Sequence, residues 1–189
     1  MRKPLILASE SPRRQELLRQ AGIPYIAVPA HAEETAEGQP EEVALKNAAA
    51  KASAVRARYP RDLVLGADTI VVVQGQIYGK PRDGAEAAAM LRALSGRWHK
   101  VFTGVALIGA DGRMLTACPV TDVHFMALSD AEIDDYIATG EPFDKAGAYA
   151  IQGRAGAYID RIEGSFSNVI GLPLTAVRQL LQDMDCREE

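Results

Sequence analysis

Apolar residues occur along this chain in runs of two kinds, continuous and spaced. Continuous runs at 4–9, 25–28 and 63–73 read as strands, the last apolar on both faces and suited to the centre of a sheet. Apolar positions three and four apart read as helices. One spans 12–21, with Leu17, Leu18 and Ala21 inward and Gly22 as its stop. A second enters at Pro40-Glu41-Glu42 and continues through the alanine-rich stretch 43–58. A third starts at the capping-box-like Asp83-Gly84-Ala85-Glu86 and runs to about Leu94. A fourth follows the box Ser129-Asp130-Ala131-Glu132 and stops at Gly140. The last opens at Pro173, with Leu174, Val177, Leu180 and Leu181 on one face.

Between the helices the pattern predicts hairpins. Gln74-Gly75-Gln76 turns the long strand into a short return at 77–81. Residues 98–108 and 114–126 read as two strands about Gly109-Ala110-Asp111-Gly112, and 149–151 and 157–162 as short strands. The stretches 31–39 and 141–148 read as loops. Strands joined partly by helices and partly by hairpins predict an α/β fold whose sheet is mixed.

Composition narrows the function classes. A chain of 189 residues allows one good core, or two small lobes sharing one. A net charge of -4 argues against a general nucleic-acid binder, without excluding a local basic pocket. Cys118 and Cys186 lie far apart in no metal-like spacing, which suits a reducing compartment. No secretory signal and no bilayer-length apolar stretch is visible, so a soluble cytoplasmic protein is expected by default. His31, His99 and His124 form no constellation, and neither a Walker A pattern nor Gly-x-Gly-x-x-Gly occurs, which disfavours kinase and dinucleotide readings.

The chemistry gathers around two places. Ser9-Glu10-Ser11-Pro12-Arg13-Arg14 puts a capping serine and a proline at a helix start, followed by two arginines where acids normally sit. Arg13 and Arg14 there suit a strong anion such as a phosphate. Asp68 interrupts the strongest strand. A carboxylate flanked by apolar residues is costly unless it meets a cation, a metal or hydrogen-bond donors. It either lies at a strand end on backbone N–H groups or serves a function, and resumption of the apolar run at Ile70 favours function. Glu33-Glu34, together with Asp68, offers oxygen ligands for Mg²⁺. Lys51, Lys80, Arg82, Lys145 and Arg154 add cations beside predicted strand ends. Any one lysine is most often a solvated surface group; several near two or three carboxylates suit a nucleoside triphosphate and its metal. The Gln152 amide, a donor beside an acceptor, matches the edge of uracil or thymine.

These pieces together resemble the Maf family. They are 7–14, Glu33-Glu34, Lys51 in its alanine-rich helix, Gly66-Ala67-Asp68-Thr69, Gly79-Lys80-Pro81, Leu94-Ser95-Gly96, 144–149, Ile151-Gln152-Gly153 and Gly171-Leu172-Pro173, in family order. The resemblance implies one Maf-like domain over 1–189. It implies a mixed central β-sheet flanked by helices, with two lobes around a cleft, related to inosine triphosphate pyrophosphatases. It implies a nucleoside triphosphate pyrophosphatase dependent on a divalent metal, Mg²⁺ or Mn²⁺, with Asp68 as general base and metal ligand and Glu34 as a second ligand. Ser9, Arg13, Arg14, Lys51, Thr69, Lys80 and Gln152 are the substrate-binding positions it suggests. Arg13, Thr69 and Gln152 in combination are similar to the dTTP/UTP branch. A homodimer is implied by resemblance alone. The competing class is a nucleotide-binding regulator of septum formation that does not hydrolyse its ligand; an RNA-binding protein is disfavoured by the acidic pI of about 5.5.

Overall fold

A computed structural model describes residues 3–185. In chain order the elements are β1 (Leu5–Leu7), α1 (Pro12–Gln20), β2 (Tyr25–Ala27), α2 (Pro40–Arg56), β3 (Val64–Val73), β4 (Gln76–Tyr78), α3 (Gly84–Leu94) and β5 (Trp98–Ile108). They continue with β6 (Met114–Ala117), β7 (Val120–Phe125), α4 (Asp130–Ala138), three short 3-10 turns, β8 (Ile159–Glu163), α5 (Phe166–Ile170) and α6 (Leu174–Asp185). Hydrogen bonding orders the strands β2-β1-β3-β5-β7-β8, with β4 on β3 and β6 on β5. β1 is parallel to β2 and β3; the pairs β3–β4, β5–β6, β5–β7 and β7–β8 are antiparallel. The sheet is therefore mixed, as the alternation of helical and hairpin connections predicts.

The chain packs as two compact units. The first holds the residues up to Asp68, Thr103–Pro119 and those from Gly171 on; the second holds Thr69–Phe102 and Val120–Ile170. In the first, α2 lies unusually close to the strands. A Cβ on Gly66 would stand 2.3 Å from the Ala48 carbonyl oxygen, and one on Gly104 would stand 2.3 Å from that of Ala44. Only glycine on the strand side and alanine on the helix side allow this approach. Ala48, Ala52 and Val55 of α2 share an apolar cluster there with Ile6, Ala8, Val64 and Ala106. In the second unit Leu91, Leu94, Phe125, Ile133 and Tyr136 are fully buried. Beside them His99 meets the Tyr149 hydroxyl at 2.7 Å and the Phe125 ring edge-on.

Several local expectations are corrected. Ala21 is exposed, because α1 ends one residue earlier. The strand expected over 114–126 is broken at Cys118-Pro119: proline has no N–H to give a ladder, and the Pro119 carbonyl instead accepts from the Thr103 N–H. Residues 149–151 form no strand, and 154–158 form a 3-10 turn leading into β8. The short helix α5 lacks a readable period. At α3 only half of the capping box forms: Asp83 accepts from the Glu86 N–H, while the Glu86 carboxylate bonds the Arg82 N–H and guanidinium. The box at Ser129 and Glu132 is complete. Asp68 lies within β3 and not at its end. No helix among the described residues is long and apolar enough to cross a membrane. Burial pushes the Cys118 thiol up to about 12; Cys186 lies outside the described residues.

Candidate active site

The first unit brings Ser9, Arg14, Glu34, Lys51 and Asp68 to one place, with Arg13 beside Arg14 on α1. At the start of α1, Ser11 caps the helix and Pro12 takes its first position, with no acid in the first turn. Arg14 turns inward: its Nε donates to the Gly171 carbonyl at 2.9 Å and its Nη1 to the Ser9 hydroxyl at 3.1 Å. Burial pulls the Arg14 guanidinium below its ordinary value. Asp68 counters this, Arg13 adds to it by repulsion, and Glu34 counters it further. Arg14 is thus a buried cation within electrostatic reach of Asp68, Arg13 and Glu34, and an additional anion there relieves the cost of its desolvation.

Asp68 is 6% exposed. Two donors from one face of α2 hold its carboxylate. Lys51 Nζ donates to Oδ1 at 2.6 Å and Asn47 Nδ2 donates to Oδ2 at 3.0 Å. Residues four apart on a helix lie one above the other, so Asn47 and Lys51 form a fork aimed at one acid. The same Lys51 ammonium lies 2.8 Å from Glu34 Oε1. Lys51, which the sequence leaves as either exposed or aimed at a site, is aimed at the site. Of the two adjacent acids, both exposed, Glu34 is the one paired with Lys51.

Thr69, half-buried, follows Asp68 along β3 in the second unit. Lys80 and Gln152 also belong to the second unit, where both are exposed. The loop before Gln152 is braced from beneath: the Gly147 N–H donates to the Gly79 carbonyl at 3.0 Å, and Glu141 accepts from the Tyr136 hydroxyl and the Arg154 N–H. Other sequence candidates are engaged locally, Arg82 with Glu86 and Lys145 with Asp144. The residue that sequence reasoning missed is Asn47. Its signal was present: a polar residue inside an alanine-rich helix, four positions before Lys51.

Asp68 and Glu34 present carboxylate oxygens to a common point now served by an ammonium. Hard oxygen donors of this kind suit Mg²⁺ or Mn²⁺, which take one or two carboxylates and complete their shell with phosphate and water. Among the described residues no group of three or more His, Cys, Asp or Glu side chains could hold a metal by itself.

Comparison with known proteins places the chain among named relatives. The sequence model described as Maf-like protein matches residues 4–184. A dTTP/UTP pyrophosphatase of Symbiobacterium thermophilum is 55% identical over 179 residues, covering 94% of this chain and 92% of the relative. One of Geobacillus sp. (strain WCH70) is 51% identical, covering 92% of this chain and 94% of the relative. Among solved structures, the Staphylococcus aureus Ham1 protein aligns over 96% of this chain and 99% of its own, with a TM-score of 0.58 at 13% identity, a likeness of fold.

Proposed function

The chain belongs to the Maf-like protein family, and from that premise we propose that it is a nucleoside triphosphate pyrophosphatase acting on dTTP and UTP. The observation that carries the reading is the buried Asp68 carboxylate, held by Lys51 and Asn47 and within the field of Arg14. Water attacks the α-phosphorus, the bond from that phosphorus to the bridging oxygen breaks, and pyrophosphate leaves with the nucleoside monophosphate behind. Asp68 accepts the proton of the attacking water; each of its oxygens keeps a lone pair beyond the one bonded by Lys51 or Asn47. Lys51 spends two of its three N–H groups on Asp68 and Glu34 and has the third for a phosphate oxygen. Arg13 and Arg14, with Ser9 and the Gly171 carbonyl orienting Arg14, neutralise charge that grows on the phosphates. Asp68 and Glu34 would hold Mg²⁺ or Mn²⁺, whose charge would make the phosphorus more electrophilic and the leaving group more stable.

Lys80, Thr69 and Gln152, in the second unit, are further substrate-binding positions in this reading, by resemblance, Gln152 for the pyrimidine edge. It further takes the chain as one Maf-like domain, cytoplasmic and homodimeric, supported by the extent of the family match and by resemblance. The test is pyrophosphate release from a panel of nucleoside triphosphates with Mg²⁺ or Mn²⁺. Turnover should be highest with dTTP and UTP; tight nucleotide binding without pyrophosphate release would move the protein to the regulator class.

A further inference from the structure

We infer that Asn47 is a positioning residue that locks the Asp68 carboxylate to the acidic segment carrying Glu34, so that both carboxylates are presented as one rigid unit. The inference rests on the pyrophosphatase reading for its catalytic consequence, and on geometry alone for the clamp. Asn47 is 3% exposed and every polar hydrogen of its side chain is used. Its Oδ1 accepts from the Thr35 N–H at 2.9 Å, while its Nδ2 donates to the Thr35 carbonyl at 2.9 Å and to Asp68 Oδ2 at 3.0 Å. The backbone of Thr35 defines which end of the amide is oxygen, because an N–H must meet an acceptor and a carbonyl a donor.

The segment around Glu34 has no regular secondary structure of its own. It is tied to α2 at two successive residues, Glu34 through Lys51 and Thr35 through Asn47. The Glu34 side chain is half-exposed, so its ion pair with Lys51 is by itself a weak constraint, and the tie through Thr35 adds to it. Asparagine is also a poor choice for a helix interior, where alanine is preferred and a buried amide is costly unless fully bonded. Its presence among alanines 44 and 48–50 is explained by the three bonds that it alone can make here. Leucine at this position would make none; aspartate would keep the acceptor for Thr35 but lose both donors.

The variants Asn47→Asp and Asn47→Leu separate the clamp from simple packing. Both are assayed with Mg²⁺ and UTP, with circular dichroism as the check of fold. Asn47→Leu should lose about tenfold or more in kcat while KM changes by less than about threefold, because the lost positioning acts on the reacting geometry. Asn47→Asp should lose kcat to a similar extent, because it removes the donor to Asp68 Oδ2 and sets a second carboxyl beside it, while the Thr35 N–H keeps its acceptor. Hydrogen exchange at the Thr35 amide supplies a readout that needs no turnover and no variant. Slow exchange in the wild-type protein, kept in Asn47→Asp and lost in Asn47→Leu, is expected. Folded variants with wild-type kcat would overturn the proposal, as would rapid Thr35 exchange in the wild type. A wild type that releases no pyrophosphate from any nucleotide, yet protects Thr35, would instead overturn the pyrophosphatase reading, and the catalytic role of the clamp with it.

Discussion

At the scale of single residues, the site depends on charges that are out of water. Asp68→Asn keeps the shape of the side chain and removes the proposed proton acceptor. The expected loss in kcat is about 10²–10⁴-fold, measured as pyrophosphate release at saturating nucleotide, with the circular dichroism spectrum unchanged. Lys51→Met leaves Asp68 buried without its nearest cation. A partly buried pair broken on one side costs about 3 kcal/mol, read from the denaturant midpoint at constant m-value. His99 tests a different environment. Burial pulls its imidazole down to about 4, with Asp122 opposing and His124 adding to the effect. The unfolded chain therefore takes up a proton near the ordinary value of about 6.5 while the folded protein does not. Between about pH 6.5 and 4 the unfolded state binds more protons, so stability is fully present above that window and falls as pH drops through it. Urea unfolding across that range should show the decline, and His99→Gln should flatten it.

At the scale of elements, α2 is the component on which the site is built. Its alanines and the glycines of β3 and β5 bring helix and strand backbones together, and this closeness lets Asn47 and Lys51 reach Asp68 with short bonds. Gly66→Ala should push the helix outward, since a Cβ there meets the Ala48 carbonyl and the Ala52 nitrogen, both backbone atoms. The expected cost is about 1–3 kcal/mol or more in denaturant unfolding, together with a loss of activity beyond what stability explains. The break between β6 and β7 follows from Pro119, which was visible in the sequence but outweighed by the apolar alternation on either side. The 3-10 turns between α4 and β8 have the opposite origin. No period announces them, and they are held by Glu141 bonding Tyr136 and the Arg154 N–H.

At the scale of the whole molecule, an acidic protein of net charge -4 keeps a buried arginine and a lysine beside two acids. In the proposed function such a site takes a polyanion together with a divalent metal. A non-hydrolysable UTP analogue with Mg²⁺, at about a hundred times its Kd, should stabilise the fold by about 2.7 kcal/mol. For a chain of this size that raises Tm by about 5–10 °C in differential scanning calorimetry. Arg14→Ala should abolish most of that rise; an undiminished rise would remove Arg14 from phosphate binding.

The sequence by itself determined the helices α1 to α4 and α6, the long strands β3 and β5, the mixed character of the sheet, the arginines at the start of α1 and the anomaly of Asp68 in an apolar strand. Those properties are set by neighbours within a few positions, where helical and strand periods differ and capping residues act. Only the tertiary structure decided what Asp68 meets. Its partners lie 17 and 21 residues away, Lys51 and Asn47, and Arg14 reaches its place by bonding Gly171, 157 residues on. Pairings at such separations are chosen by how helix and sheet backbones pack, and that depends on how closely glycine and alanine let them approach.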